Sequence, residues 1–210
     1  MFSDIKRILL RSSSYEICIS NALAIQTLYL YGTILSGVNP FSIFSGLLLY
    51  SFHEYASHRF ILHYTHTSQL YHYLHGNHHA NPFGRSIHIP ILYSTLFHML
   101  YFYMLYTYTS FLNAVNVMCT YQVCYIVFEH MHKEVYHPSW DARYVEQFRT
   151  FHMYHHMTNK NMAYSFSTPL WDILCGTFPH DVLEYNWFAF VPLPFLGFYL
   201  GTDCKRKKII

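Results

Sequence analysis

Two five-residue patterns, His75-Gly76-Asn77-His78-His79 and His152-Met153-Tyr154-His155-His156, repeat the same spacing of three histidines. On an α-helix, residues three and four apart share a face, so each pattern offers a stripe of imidazoles that can converge on metal. Near them stand His58 and His63, five apart, and His130, His132 and His137. Positions five apart on an α-helix are rotated by about 140°, so His58 and His63 are expected to reach two neighbouring ions rather than share one. Of the 210 residues 17 are histidine, and none precedes His53. Such crowding of a costly polar side chain implies a shared task. Single histidines weigh less: His98, in an apolar stretch, reads as a structural residue, and His66, His88 and His180 as surface or supporting residues.

Other chemistries fit less well. His53-Glu54-Tyr55-Ala56-Ser57-His58 resembles a zinc-protease helix, but one extra residue rotates the second histidine off the face that His-Glu-x-x-His requires. No nucleophile elbow and no phosphate-cradling glycine loop is present. Five scattered cysteines without a Cys-x-x-Cys pair give neither a disulfide framework nor a zinc ribbon. A net charge of +2 argues against nucleic acid as a partner. Ligation by imidazole suits zinc, copper or iron, and oxidative chemistry in apolar surroundings favours iron.

The elements that must position these histidines read as membrane helices. The chain is 52% hydrophobic and 11% charged, whereas soluble domains carry about a quarter charged residues. Residues 15–36 form an apolar stretch of bilayer-crossing length behind Lys6, Arg7 and Arg11; with no small-residue cleavage site, it reads as a first span rather than a signal peptide. Further apolar stretches cover residues 41–56 and 91–108, and a fourth runs to residue 128 after a polar break near Asn113. The histidines lie in the polar stretches 57–90 and 129–181. Residues 187–200, broken by Pro192 and Pro194, read as a packed or interfacial segment rather than a crossing. The expected fold is therefore an all-α integral membrane protein, four transmembrane helices with a cytosolic helical cap holding a dimetal site, in a single domain over residues 1–210. Basic residues at both ends place the termini, and with them both histidine-rich stretches, on the cytosolic side.

The chain resembles the fatty acid hydroxylase superfamily, in particular the fatty acid (sphingolipid) 2-hydroxylases. The resemblance rests on His58-Arg59-Phe60-Ile61-Leu62-His63, on His75-Gly76-Asn77-His78-His79 followed by Pro82, Arg85 and Pro90, on Phe151-His152-Met153-Tyr154-His155-His156, and on Phe166-Ser167-Thr168-Pro169-Leu170-Trp171-Asp172 with Gly176-Thr177. These motifs span residues 50 to 180. The resemblance implies a diiron centre held by histidine, with His58, His63, His75, His78, His79, His152, His155 and His156 as ligands. It places a further ligand three residues past an acid, here His132 after Glu129. The family's next ligand falls at position 136, which is Tyr136; His137 takes that role in this reading, and His130, seven residues before His137, is the rival of His132. The interval from His72 to His75 is one residue short, so His72 is only an outlying candidate. Glu129 and Asp172 are expected to orient ligand imidazoles through the second ring nitrogen.

The implied activity is O2-dependent hydroxylation of a lipid acyl chain at C2, with zinc able to replace iron in a purified protein. No cytochrome b5-like segment is recognised in the chain, so electrons from NAD(P)H are expected to arrive through a separate membrane partner such as cytochrome b5 and its reductase. Lys207 and Lys208 match a dilysine endoplasmic-reticulum retrieval signal. The same histidine arrangement also serves lipid desaturases and sterol or C-4 methyl oxidases. A non-redox zinc-binding membrane protein is the remote alternative.

Overall fold

The computed structural model describes residues 39–63, 69–83, 91–136 and 142–205. The first expected span, residues 15–36, lies outside them, as do His66, His88, His137, Lys207 and Lys208. The described chain is mostly helical. It divides into two compact units, one of residues 39–50 and 91–129, the other of residues 51–83 and 130–205.

Three helices build the first unit. Helix α1 (Pro40–Ala56) starts where Asn39 accepts the Phe41 N–H through its side-chain oxygen at 3.0 Å, with proline at the first helical position where no N–H is needed. Helices α2 to α4 are Gln69–Tyr71, Asn77–Ala80 and Ile91–Tyr108, of which α4 belongs here. Helix α5 (Phe111–Tyr136) is capped by Ser110, whose hydroxyl accepts the Asn113 N–H at 3.2 Å. The chain thus breaks at residues 109–110, just before the polar position that the sequence marks. Tyr50, Met118, Tyr121, Cys124 and Tyr125 form the core, with Leu47, Tyr101, Phe102, Leu105 and Phe128 packed against it. Gly46 lets α1 and α5 approach closely: a Cβ there would stand 2.5 Å from the Val117 carbonyl oxygen. His98 packs its ring on Tyr121 and Tyr125, at 5.0 and 5.5 Å between centroids, a structural setting as expected.

Leu96, Met99, Leu100, Tyr103 and Met104 on α4 are exposed. Among the described residues, one helix is long and apolar enough to cross a membrane by length and composition, over Phe111–His132.

The second unit holds most of the histidines. Helix α1 passes into a π-helical stretch, Ser57–Leu62, and a second π-helical stretch, His72–Gly76, lies between α2 and α3. Helix α6 (Ala142–Met157) buries Val145, Phe148, Phe151 and His155 on one face, the spacing of an amphipathic helix. After the short helix α7 (Leu170–Leu174) come strand β1 (Leu183–Tyr185), a 3-10 turn Trp187–Phe190, helix α8 (Leu196–Gly201) and strand β2 (Thr202–Cys204). The strands pair antiparallel, Leu183 opposite Cys204 and Tyr185 opposite Thr202, so the fold is not purely helical as expected. Phe198 of α8 stacks on Phe148 at 4.6 Å and meets Phe151 edge-on at 5.1 Å. Residues 187–200 therefore form a folded-back, packed segment, in keeping with Pro192 and Pro194. No disulfide joins the cysteines among the described residues.

Candidate metal centre

The first surprise of the site is local backbone geometry. His63 N–H bonds to the His58 carbonyl at 3.1 Å, an i→i+5 bond. Such a turn stacks positions five apart in one row, and π-helical turns concentrate at functional sites. The two Nε2 atoms consequently lie 3.2 Å apart. The expectation that His58 and His63 face different ions held only for α-helical rotation; here they belong to one group.

That group is His58, His63, His75, His79 and His155, whose ligand atoms all lie within 4.8 Å of one another. Six of its Nε2 pairs stand between 2.8 and 3.2 Å apart. A second group contains His78, His152 and His156. His132 joins it, its Nε2 2.9 Å from that of His152. Each histidine triplet is therefore divided. His75 and His79, four apart, go to the first group while His78 goes to the second; His152 and His156 go to the second while His155 goes to the first. Where the groups meet, the His79 and His156 rings stack at 4.1 Å between centroids.

Among the remaining candidates, His72 is exposed and His130 half-buried, and neither belongs to a group. His180 is exposed, with its ring between those of Phe178 and Tyr185. Tyr136 is in the site instead. It is buried, one helical turn past His132, and its hydroxyl lies 3.2 Å from His78 Nε2.

The ring protons of two histidines are fixed by geometry. His58 Nδ1 faces the Tyr164 carbonyl oxygen, and His155 Nδ1 faces that of Met162 at 2.8 Å. A carbonyl only accepts, so each Nδ1 carries the proton and each Nε2 offers its lone pair to the group. The carbonyls belong to a loop held by two carboxylates, Asp172 buried and Glu54 half-buried. Asp172 accepts the N–H groups of Tyr164 and Ser165 at 2.9 and 2.8 Å and the Thr177 hydroxyl at 2.6 Å. Glu54 accepts the N–H groups of Phe166 and Ser167. Asp172 thus acts on the imidazoles through the backbone rather than through a ring nitrogen. Glu129 is buried on α5, three residues before His132.

Glu54 and Tyr164 are the site residues that sequence reasoning missed, and Tyr136 was passed over in favour of His137. For Glu54 one signal existed: it is an acid inside an otherwise apolar stretch, and such residues are seldom idle.

Burial keeps these rings neutral. His58 is pushed down to about 4 by desolvation. Burial first, then the neighbouring imidazoles, hold His75, His152, His155 and His156 well below the usual range. Burial raises Asp172, against hydrogen bonds from Thr177, Ser165 and Tyr164 that lower it. It also raises the Tyr136 phenol, which stays protonated and donates to His78 unless a cation stands beside it.

These features fit a metal ion. Nε2 atoms that lack protons repel one another at 3 Å unless a cation lies among them. With imidazole nitrogens about 2.1 Å from an ion, right-angle neighbours stand about 3.0 Å apart and tetrahedral ones about 3.4 Å. The observed spacings match the right-angle case, and five donors exceed a tetrahedral zinc shell.

Comparison with known proteins agrees. Residues 43–177 match the family model described as fatty acid hydroxylase. The chain is 22% identical over 145 residues to dihydroceramide fatty acyl 2-hydroxylase FAH1 of Arabidopsis thaliana, a match covering 64% of this chain and 59% of that protein. The chain thus spans less than two thirds of that relative's length. The solved structure of full-length Scs7p, in which only the hydroxylase domain is visible, superposes with a TM-score of 0.72 at 16% identity, covering 81% of this chain and 68% of that one. That likeness shows a shared fold.

Proposed function

The chain belongs to the fatty acid hydroxylase family, a family of oxidoreductases, and from that premise we propose that it hydroxylates the acyl chain of a membrane lipid at C2, in a free fatty acid or the acyl group of a sphingolipid. The observation that carries the reading is the pair of adjoining histidine groups, five rings in one and four in the other, seven of the nine buried. Two iron ions held there supply O2 activation and C–H oxidation, with electrons from NAD(P)H arriving through a separate carrier such as cytochrome b5.

The chain's own residues prepare that chemistry. His58, His63, His75, His79 and His155 hold one ion; His78, His132, His152 and His156 hold the other. The Tyr164 and Met162 carbonyls lock two of the rings with Nε2 facing inward. Asp172 and Glu54 stiffen the loop that carries those carbonyls, which limits reorganisation around the ions. Phe166 lays its ring 5.6 Å from His132 and 5.4 Å from His152, an apolar wall that excludes water from one flank. The low charge content, the apolar helix over Phe111–His132 and the exposed apolar face of α4 support a bilayer setting. The basic residues Lys6, Arg7 and Arg11 and Lys205, Arg206, Lys207 and Lys208 support a cytosolic placement of those stretches.

The test is lipid analysis by mass spectrometry after expression in a host lacking its own 2-hydroxylase. A gain of one oxygen at C2, absent with His78→Ala, is the expected result. Loss of two hydrogens would instead assign a desaturase, and unchanged lipids with an iron-loaded protein would end the hydroxylase reading.

A further inference from the structure

The two histidine groups are unequal. The first presents five ring nitrogens, the second four. Tyr136 lies four residues after His132 on α5, hence on the same face. Its hydroxyl oxygen is 3.2 Å from His78 Nε2, the same edge length as between donors of the first group. Its ring is packed by all four members of the second group, with centroids 5.2 Å from His78, 5.3 Å from His132, 5.6 Å from His152 and 5.8 Å from His156. The residue is 4% exposed, and the partner its hydroxyl reaches is His78 Nε2.

We propose that Tyr136 is the fifth ligand of the second metal, binding through its phenolate oxygen beside His78, His132, His152 and His156. On ligation one O–H bond breaks, one oxygen–metal bond forms, and the proton passes to the solvent. A hard oxygen anion suits iron better than the softer metals that imidazole alone would accept. The two ions are therefore inequivalent, one in a neutral all-nitrogen shell and one with an anionic oxygen. The inference rests on the two-metal reading above and adds an optical consequence to it, since ferric iron bound by phenolate absorbs visible light by ligand-to-metal charge transfer and iron bound by imidazole alone does not.

The experiment uses the full 210-residue chain purified in detergent, stripped with chelator, reloaded with ferrous iron without air, and then oxidised in air. The wild type should bind two irons and show the charge-transfer band, with tyrosinate ring modes in resonance Raman spectra excited within it. Tyr136→Phe should lose the band and bind its weaker iron about 10–100-fold less tightly. Tyr136→His should keep both irons without the band, and carries the comparison if the phenylalanine variant fails to fold. A wild type with two irons and no band, or a band that survives in Tyr136→Phe, overturns the ligand assignment and leaves the two-metal reading standing. A wild type that binds no iron overturns both.

Discussion

His58 and His63 bring their Nε2 atoms to 3.2 Å because a single backbone bond between the same two residues, His63 N–H to His58 carbonyl, closes a wide helical turn. The turn costs one regular i→i+4 bond and in return aims two imidazoles at one point. From this geometry, and from the division of the triplets, the consequences of removing single rings can be separated.

His155 and His78 lie on neighbouring segments yet in different groups. Replacing either by Ala should lower iron from two per chain toward one, each from a different site, and reduce product formation by more than the ~10–100-fold typical of a supporting residue. Metal analysis by plasma mass spectrometry beside a turnover assay reads this. Loss of both irons in each variant would show that the groups act as one indivisible cluster.

Asp172→Asn keeps the shape of the side chain but turns an acceptor into a donor toward the Tyr164 and Ser165 amides or the Thr177 hydroxyl. One buried donor is left facing another, a loss of about 1–3 kcal/mol. The loop that seats His58 and His155 loosens, so iron affinity should fall while every ligand remains. A melting curve and an iron titration test this together; an unchanged iron affinity would remove the loop from the site's support.

The metal-free protein should weaken on mild acidification. His58 has an ordinary value of 6.5 and sits near 4 when folded. Above 6.5 both folded and unfolded chains carry it neutral, and it contributes nothing. As the pH falls from 6.5 toward 4 the unfolded chain takes up the proton and the folded chain does not, so stability drops by about 1.4 kcal/mol per pH unit, about 3 kcal/mol in all for this residue. His75, His152 and His155 shift in the same direction and add to the slope. Melting temperatures of stripped protein at pH 7.5 and pH 5 should therefore differ, the acid value being lower. Equal values would mean that the rings are not buried neutral.

Gly46→Ala brings a Cβ to 2.5 Å from the Val117 carbonyl oxygen and 2.6 Å from Thr120 Cβ. Alanine's better helix propensity is worth about 1 kcal/mol, whereas forcing the backbones of α1 and α5 apart costs about 1–3 kcal/mol. The clash wins, and the melting temperature in detergent should fall. A variant as stable as the wild type would refute the close approach.

Much of this architecture was legible in the residues. Helix α4 begins and ends with the apolar run at 91–108, and α1 follows the run at 41–56, because burial leaves local marks. His132 was reached through the family resemblance, which puts a ligand three residues after an acid. What stayed hidden is what the 3.6-residue repeat assumes away or what lies far along the chain. The arithmetic of an α-helix puts His58 and His63 on different faces, and only the wide turn reverses that. It also treats each triplet as one stripe, although His78 and His155 each step across to the other group. Glu54 serves amides at Phe166 and Ser167, more than a hundred residues on, a partnership that no local pattern encodes. Tyr136 was marked by position alone: the resemblance puts a ligand there, and the change of residue type turned the reading to His137.

The Tyr164 carbonyl that seats His58 follows it by 106 residues. At synthesis rates of about 5–20 residues per second, a nascent chain would present the earlier histidines for roughly 5–20 s before their partner segment exists. During that interval the exposed rings are open to whichever divalent ion binds imidazole tightest, and copper or zinc outcompetes iron in that order of affinity. Correct loading of this protein would then depend less on the finished pocket than on which ions surround the ribosome.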